Sequence, residues 1–419
     1  MHTSSAATVT GPGRDLRVTA TARLSPVAVV AQGLVCAAGV GLPALERALL
    51  TGRSALTRNT FSRVPLDCWI GRVEGLENSP LPDALAAWDC RATRLAWMGL
   101  QADGFLADAR TAVRQVGAAR VGLVLGTSAS TIGVSEQAYR ELDDQGRFPA
   151  RLRSERLNTP HALGLFVQEA LGLQGPCVTV STACSSSAKA FAVAERWLRL
   201  DLADAVVVGG VDALCDSVLF GFHALGLVSP DPCRPFGAGR SGISVGEAAG
   251  YVLLQRGPGA LQLLGCGEAN DAHHMSSPHP QGLGADRAVD EALARAGLAT
   301  ADIQYLNLHG TASRRNDEVE AALVARRYGP QVHASATKGV TGHTMGAAGV
   351  VEALVCLLAL QGGWRAGSAN TAPPDPALGP AFAQQLRLAP AQQTTTLAAS
   401  HSFGFGGNNC VLVFGRGPS

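Results

Sequence analysis

Short apolar runs rich in Val, Leu and Ala alternate along the chain with longer segments whose apolar residues recur at helical spacing. The short runs predict nine strands, at residues 27–31, 120–125, 177–181, 205–209, 251–255, 261–265, 305–308, 395–400 and 410–414. The longer segments predict helices at residues 91–107, 188–200, 285–296, 317–328 and 347–361. Alternation of this kind is typical of α/β proteins, so we expect parallel, buried sheets with helices on their faces.

The uncharged segment 25–45 follows three arginines and in this respect resembles a secretory signal. Its valine-rich part, residues 27–35, is short, and the segment then breaks at residues 37–41 (AAGVG), so a first buried strand and its turn explain it better. Residues 1–25 are rich in Ser, Thr, Ala and Gly and predict a flexible tail. We expect no transmembrane helix, because the other long apolar run, residues 350–360, is too short to span a bilayer.

Composition narrows the class of protein further. The chain has 419 residues, enough for two ordinary domains or one large α/β domain, and its net charge of +1 gives no reason to expect nucleic acid binding. Ten cysteines without a Cys-x-x-Cys pair favour neither a zinc site nor a disulfide framework, and they fit a reducing cytoplasm. No linker divides the chain, and no internal repeat is obvious.

Lysine is almost absent, since Lys189 and Lys338 are the only two in the chain. A chain that avoids lysine but keeps Lys338 between two glycine-containing turns indicates a need for a compact ammonium with three donors. The alternative is chance placement on the surface. For Lys189, the sequence leaves packing and function equally open.

Residues 180–188 (VSTACSSSA) place Cys184 between a predicted strand and a predicted helix. The free N–H groups and the dipole at a helix N-terminus favour a thiolate, the nucleophilic form of cysteine. The alternative is a buried structural cysteine, which a lone cysteine would favour.

Three later segments supply partners for this cysteine. They are residues 308–313 (LHGTAS) with 316–320 (NDEVE), residues 337–349 (TKGVTGHTMGAAG) and residues 402–409 (SFGFGGNN). His309 and His343 each lie at a predicted strand or helix terminus, where the sites of α/β proteins gather. They lack the spacing of a zinc helix. The other histidines, His401 among them, are more typical of ordinary core or surface positions.

Together these four motifs resemble those of the β-ketoacyl-acyl-carrier-protein synthases, the condensing enzymes of fatty-acid and polyketide assembly, over about residues 26–414. The resemblance implies the thiolase-like fold, two similar α/β halves in five layers, α-β-α-β-α. We place an N-terminal half with the nucleophile at residues 26–256 and a C-terminal half with both histidines at residues 257–419.

The resemblance also implies a chemistry, the decarboxylative Claisen condensation of malonyl-acyl-carrier protein with an acyl group on Cys184. The oxyanion hole would be formed by the N–H groups of Cys184 and Phe405, and Phe403 and Gly404 would belong to the same gating loop. His309 and His343 would stabilise the enolate as neutral rings.

Further residues match supporting positions of the family. Lys338 and Glu320 would form a buried ion pair that orients the histidines. Thr311 and Ser313 would bind the phosphopantetheine arm of a partner carrier protein. Asp271 and His274 lie in a segment that resembles a mobile loop. The resemblance implies no metal and no cofactor of the chain's own.

The expected partners are an acyl carrier protein and a second subunit, which makes either a homodimer or a heterodimer with a chain-length-factor-like chain. Carrier proteins are acidic, so a basic patch should surround the tunnel mouth. One cluster of arginines fits this expectation, although a solvated face explains it equally well: Arg147, Arg151, Arg153 and Arg156.

Two features distinguish this chain from the fatty-acid enzymes. Residues 314–316 (RRN) replace a small stretch containing Pro and Gly, and Asn408 replaces a common threonine. The serines after Cys184 and residues 208–215 (VGGVDALC) are more similar to polyketide and aryl-polyene synthases. A coenzyme A thiolase would need a second catalytic cysteine in the last glycine-rich loop. A non-catalytic partner subunit would usually lack the nucleophile.

Overall fold

The computed structural model describes residues 26–417; the predicted tail at residues 1–25 lies outside them. The strands are β1 Val27–Cys36, β2 Gly39–Val40, β3 Thr57–Arg58, β4 Trp69–Gly71, β5 Val121–Gly126, β6 Cys177–Val180, β7 Ala205–Asp212, β8 Val245–Gly246, β9 Ala248–Arg256, β10 Leu261–Asn270, β11 Tyr305–Asn307, β12 His333–Ser335, β13 Trp364–Arg365, β14 Ala391–Gln392, β15 Leu397–Gly404 and β16 Asn408–Arg416. The helices are α1 Leu42–Thr51, α2 Arg91–Gln101, α3 Phe105–Val116, α4 Ile132–Arg140, α5 Ala162–Leu171, α6 Ser186–Arg199, α7 Asp216–Ala224, α8 Leu283–Ala296, α9 Arg314–Arg327, α10 Lys338–Thr341, α11 Ala348–Gly362 and α12 Pro380–Gln385.

The centre of the molecule is one hydrogen-bonded sheet of 11 strands, which divides into two five-stranded parts with the same topology, the first and second sheets, with the short β2 beside β1. Their strand orders are β6-β5-β7-β9-β1 and β12-β11-β15-β16-β10. In each sheet the first three strands are parallel and the last two join antiparallel. The sheets meet where Val27 and Ala28 of β1 pair with β10. The expectation of parallel strands is therefore confirmed for three strands of each sheet and wrong for the other two, and the fold repeats although no sequence repeat is visible.

Helices α6 and α11 pack between the two sheets and make the middle layer. Helices α2, α3 and α5 cover the outer face of the first sheet, and α8 and α9 cover the second. This gives the five layers of the thiolase-like fold. Composition favours these layers, because the first two turns of α6 are rich in Ser and Ala, whose small side chains let the backbone approach the sheets closely.

Helix α11 is apolar on all sides because both sheets contact it. Residues Met345–Gly362 form a helical segment that is long and apolar enough to cross a membrane, so the expectation that this run is too short is wrong. However, 89% of the segment is buried inside the protein, as expected for a core helix. The valine-rich segment at residues 27–35, which resembled a secretory signal, forms the buried strand β1, as predicted.

The nine predicted strands are all present, with shifted ends, and the predicted helices lie close to α6, α8, α9 and α11. The helix predicted over residues 91–107 is divided into α2 and α3. The break lies at Asp103, which has a φ of 55°. Its carboxylate accepts the backbone N–H groups of Leu34 and Leu42. Long-range hydrogen bonds of this kind are invisible in the local pattern.

Candidate active site

A cavity of about 380 Å³ opens between the ends of corresponding strands in the two sheets. Cys184 follows β6, His309 follows β11, His343 precedes α11 and Phe405 follows β15; all four line this cavity. The duplicated topology therefore brings the predicted residues of both halves together.

The turn that carries Cys184 is held in an unusual conformation. Ala183 has a φ of 53°, a left-handed value that costs an L residue about 1–2 kcal/mol. Ser186 holds the turn from both sides, because its hydroxyl donates to the Ala183 carbonyl at 2.6 Å and accepts the Thr182 N–H at 2.9 Å. The turn directs the sulfur of Cys184 into the cavity just before α6 begins, as the sequence predicts.

His343 lies with its Nε2 3.1 Å from the sulfur of Cys184. Its other ring nitrogen, Nδ1, accepts the backbone N–H of Met345 at 3.3 Å. Burial, with a further contribution from the charge of Lys338, lowers the pKa of His343 well below its usual value. The ring is therefore neutral, and its one proton is on Nε2, facing the sulfur.

His309 is fixed in the same tautomer by Lys338. The Nζ of Lys338 lies 3.3 Å from His309 Nδ1 and 2.5 Å from the His309 carbonyl. Since an ammonium can only donate, Nδ1 must accept, and the proton of the ring is on Nε2. Burial and then Lys338 lower the pKa of His309 well below its usual value. Both rings, with centroids 5.4 Å apart, present N–H donors to the cavity.

The thiol of Cys184 does not behave as the helix terminus alone predicts. Burial raises its pKa to about 11, and this effect outweighs the lowering by Lys338 and by the backbone N–H of Phe405. The expectation of a resting thiolate is therefore wrong, because the helix terminus does not offset the loss of solvation. At neutral pH the resting group is a protonated thiol.

Lys338 forms its buried ion pair with Glu352, and the expected pair with Glu320 is wrong. The ammonium donates to Glu352, to the His309 carbonyl and to His309 Nδ1, which uses all three of its protons. This geometry explains why lysine is retained here. Burial raises the pKa of Glu352 to about 7, against the lowering by Lys338. Sequence reasoning missed Glu352, although it is the single charged residue of α11.

Glu320 instead holds the backbone on which His309 lies. Its two carboxylate oxygens accept the N–H groups of His309 and Gly310, both at 2.8 Å. One of them also lies 3.2 Å from Nδ1 of His401. Asp317, one turn earlier on α9, accepts the next two N–H groups, those of residues 311 and 312. Helix α9 thus fixes the whole 309–312 turn, and the roles of Asp317 and His401 were missed.

The loop that follows β15 lies against the nucleophile. The N–H of Phe405 contacts the sulfur of Cys184 and lowers its pKa, which places this N–H where an oxyanion would form. Phe403 packs on the rings of His309 and His401, with centroids 6.2 and 5.0 Å away. A Cβ on Gly404 would lie 3.0 Å from the Thr182 carbonyl oxygen, which is tighter than most such contacts, so a larger residue would push the loop away from the nucleophile turn.

The segment that begins at Asp271 covers the same loop. Asp271 donates its N–H to the Gly407 carbonyl at 2.9 Å, and its carboxylate accepts from the Asn409 side chain. The Met275 carbonyl accepts the Gly406 N–H at 2.7 Å. Asp271 is thus an anchor between the two segments. His274 is exposed and does not line the cavity.

The cavity mouth is polar. Thr311 and Ser313 line it, and their hydroxyls lie 2.9 Å apart. Arg314 and Arg315 lie beside them, both exposed. No salt bridge joins either arginine to another residue in the described part of the chain.

The predicted basic cluster lies elsewhere. Arg147 pairs with Asp143, and Arg156 stacks on Trp88. The cavity is lined by none of Arg147, Arg153 and Arg156. The side chain of Arg151 lies outside the described part of the structure.

The site also tests whether a metal would fit. The ligand atoms of Cys184, His309 and His343 all lie within 4.8 Å of one another, close enough for an ion by distance alone. Binding would need a lone pair on each Nε2, and the ring proton would have to move to Nδ1. There it would meet the Met345 N–H or the Lys338 ammonium. The hydrogen bonds therefore favour donation by both rings over metal binding.

The sequence of this chain matches two family models that divide it between them. The model described as β-ketoacyl synthase, N-terminal domain, matches residues 24–260, and that described as β-ketoacyl synthase, C-terminal domain, matches residues 261–372. Nodulation protein E from Rhizobium meliloti (strain 1021) is 34% identical over 325 residues, which is 73% of this chain and 80% of that protein.

Two further relatives extend the comparison. The 3-oxoacyl-[acyl-carrier-protein] synthase 2 of Staphylococcus aureus is 31% identical over 336 residues, which is 73% of this chain and 80% of that protein. Among solved structures, the ketosynthase ApeO in complex with its chain length factor ApeC, from Xenorhabdus doucetiae, has a TM-score of 0.83. It is 32% identical and covers 94% of this chain and 98% of that chain.

Proposed function

Because the chain belongs to the β-ketoacyl synthase family, we propose that it catalyses decarboxylative condensation at Cys184 and that its histidines act as hydrogen-bond donors. The observation that carries this proposal is the pair of neutral imidazoles, each with its Nε2–H aimed into the cavity beside the sulfur. Donors placed where negative charge develops are what an enolate intermediate requires.

The first step is acyl transfer. The sulfur of Cys184 attacks the carbonyl of a carrier-bound thioester, and the tetrahedral oxyanion lies between the N–H groups of Cys184 and Phe405. The carbon–sulfur bond to the carrier then breaks. The thiol proton goes to the departing carrier thiolate, so charge and protons balance. A protonated resting thiol fits this step because the proton leaves with the carrier.

The second and third steps use the other thioester. The carbon–carbon bond to the malonyl carboxylate breaks, carbon dioxide leaves, and the electron pair becomes an enolate. Its oxygen accepts from His309 and His343, neutral donors that stabilise the enolate without protonating its carbon. The carbanion then attacks the acyl carbonyl on Cys184. A new carbon–carbon bond forms, the carbon–sulfur bond breaks, and the Cys184 thiolate that leaves takes up a proton from solvent water.

The substrate arm would enter past Thr311 and Ser313. We propose that these hydroxyls bind the phosphopantetheine arm of an acyl carrier protein. Because the carrier protein supplies this arm, the chain needs no cofactor of its own. Arg314 and Arg315 support this proposal. They put two guanidinium groups at the mouth, and a helix N-terminus adds further positive potential, so an anionic group is favoured there.

The second candidate function is a ketosynthase subunit that works only with a partner chain. It is favoured by the likeness to ApeO, which was solved in complex with its chain length factor. It also fits strand β6, whose outer edge pairs with no other strand of the described chain. A cytoplasmic enzyme of polyketide or polyene type, acting as a homodimer or a heterodimer, is consistent with both candidates.

The test is acylation of the protein by a panel of acyl-carrier proteins that differ in chain length and unsaturation, read by intact mass. Wild type should gain one acyl group, and Cys184→Ala should gain none. Adding malonyl-carrier protein should then release carbon dioxide and return the cysteine to its free mass. Acylation that persists in Cys184→Ala would refute the assigned nucleophile.

If no member of the panel acylates the folded protein, the experiment is repeated with co-expressed candidate partner chains. Activity that returns only with a partner supports the second candidate. Failure in both settings would refute catalysis by this chain. The acyl chain that transfers fastest would identify the substrate class.

A further inference from the structure

One hydrogen-bonded chain connects the nucleophile helix to the glycine-rich loop. The Nζ of Lys189, on the first turns of α6, donates to the side-chain oxygen of Asn408 at 3.1 Å. The side-chain nitrogen of Asn408 donates in turn to the Phe405 carbonyl at 3.3 Å. Phe405 thus has its N–H at the sulfur of Cys184 and its carbonyl tied to α6 through two side chains.

The loop needs such a tie because its own backbone is permissive. Gly406 and Gly407 have φ values of 73° and 70°, in the region where glycine pays no steric cost. The other hydrogen bonds of Gly406 and Gly407 go to the segment that begins at Asn270 and to the side chain of Asn409, and none of them reaches α6. The side chain of Asn408 therefore connects this loop to α6, the helix that begins just after Cys184.

We propose that Lys189 is a positioning residue that, through Asn408, aligns the Phe405 N–H for the oxyanion of acyl transfer. The inference rests on the proposed function. It assigns a purpose to one of the two lysines of the chain and to the asparagine that stands where the family commonly has threonine. Lys189 is half-buried and forms no salt bridge with a carboxylate among the described residues, so its observed partner is this amide. Asparagine accepts from the lysine with Oδ1 and donates to the carbonyl with Nδ2, whereas a threonine has a single polar side-chain atom for both partners.

The test separates two reactions of the same sulfur. Alkylation of Cys184 by iodoacetamide forms no oxyanion, whereas acylation by an acyl thioester does. Lys189→Met should slow acylation by about tenfold or more, since losing an oxyanion donor outright costs about 10²–10³. The rate of alkylation should fall much less, because alkylation depends on the Phe405 N–H only through the pKa of the thiol, and the melting temperature should stay unchanged. Lys189→Arg, which can still donate to Asn408, should recover part of the acylation rate.

A second variant keeps the result interpretable. Asn408→Leu should slow acylation to the same extent, and the double variant with Lys189→Met should be no slower than either alone, because both act through one link. Acylation at the wild-type rate in Lys189→Met would overturn the inference, as would equal losses of alkylation and acylation. Wild type that is acylated neither alone nor with a partner chain would instead refute the proposed function.

Discussion

The protonation states around Cys184 follow from what each group touches. Two rings that have almost no solvent contact and lie near an ammonium stay neutral, and their Nδ1 partners decide where the remaining proton is. The sulfur, buried with them, keeps its proton for the same reason. A site made of neutral groups is suited to donating hydrogen bonds, and this is what a carbanion reaction requires because a charged acid would quench the carbon.

The first prediction concerns the pH dependence of this sulfur. Since the pKa of Cys184 is raised to about 11, its alkylation by iodoacetamide should keep accelerating with pH through pH 10. The rate is measured by peptide mass mapping of Cys184, with Cys184→Ser as the control for labelling elsewhere. A plateau at or below pH 8 would show a resting thiolate and contradict the assignment.

The second prediction tests which carboxylate partners Lys338. In a double-mutant cycle, Lys338→Met and Glu352→Gln should couple by at least about 1 kcal/mol in the free energy of unfolding, because breaking a buried pair leaves an uncompensated charge. Lys338→Met combined with Glu320→Gln should couple by less than half as much. The measurement is urea unfolding of the singles and doubles. Stronger coupling with Glu320 would restore the ion pair predicted from the sequence.

Residues with distinctive local patterns could be predicted from the sequence, and those defined by distant partners could not. Cys184, His309 and His343 lie in short motifs at strand and helix ends, and the structure brings them into one cavity. Glu320 and Lys338 were placed correctly in the core but paired wrongly, since the sequence does not reveal that α11 passes closer to Lys338 than α9 does.

At the scale of elements, α9 positions the site through its first turns. Two carboxylates one turn apart, Asp317 and Glu320, point at the same four-residue segment and accept its backbone N–H groups. After β11 ends, residues 309–312 have no neighbouring strand to accept their N–H groups, and the carboxylates of α9 accept them instead. Buried N–H groups need such acceptors, and the turn would otherwise carry an unfavourable cost of desolvation.

The third prediction follows from the ionisation of Asp317. Burial raises its pKa from 3.8 to about 7, so the folded protein holds this proton more tightly than the unfolded chain does. The contribution of the group to stability is therefore largest below pH 4 and declines as pH rises to 7. Asp317→Asn lacks this titration. The difference in unfolding free energy, wild type minus variant, should fall between pH 4.5 and 7.5 by at least about 1 kcal/mol.

Urea unfolding of both proteins at the two pH values checks this result. A comparison of differences is needed because other carboxylates also titrate in the folded state. Glu77, for example, has its pKa lowered to about 2, where hydrogen bonds from Arg72 and Arg91 outweigh burial. A difference that grew with pH would show that Asp317 is stabilised as a carboxylate.

Element prediction failed in a systematic way. Strand β12 was missed because it has three residues and a histidine, too short for a periodic signal. The division into α2 and α3 was missed because its cause, Asp103, acts through hydrogen bonds to residues about sixty positions away. Long apolar elements such as α11 were found because burial on all sides leaves a continuous run.

At the scale of the whole molecule, the site depends on duplication. Strands β6 and β12 occupy matching places in the two sheets; the chain after β6 leads to Cys184 and α6, and the chain after β12 leads to His343 and α11. Strands β5 and β11 match in the same way, as do β7 and β15. One half supplies the nucleophile and the other both histidines, so neither half can perform the reaction alone. The sequence of each half has diverged enough to hide this relation.

The fourth prediction concerns the open edge of the first sheet. The carbonyls of Pro176 and Val180 accept N–H groups from the β5 side, so the alternate residues Cys177 and Thr179 direct their N–H groups outward. An outward row of unpaired donors is a template for a strand of another subunit. We expect the protein, alone or with its partner chain, to assemble through β6, and Thr179→Pro should prevent assembly by removing one outward donor while leaving the β5 ladder intact.

Native mass spectrometry and light scattering of wild type and Thr179→Pro measure this effect. Thr179→Val is the matched control, because it removes the hydroxyl that lies 2.7 Å from His161 but keeps the backbone donor. Wild type and Thr179→Val should assemble, and Thr179→Pro should be a folded monomer by circular dichroism. Assembly that persists in Thr179→Pro would place the interface on another face. The turn that carries Cys184 begins directly after β6. Loss of assembly should therefore also slow acylation of Cys184. A slower rate in Thr179→Pro would show that the partner subunit contributes to catalysis.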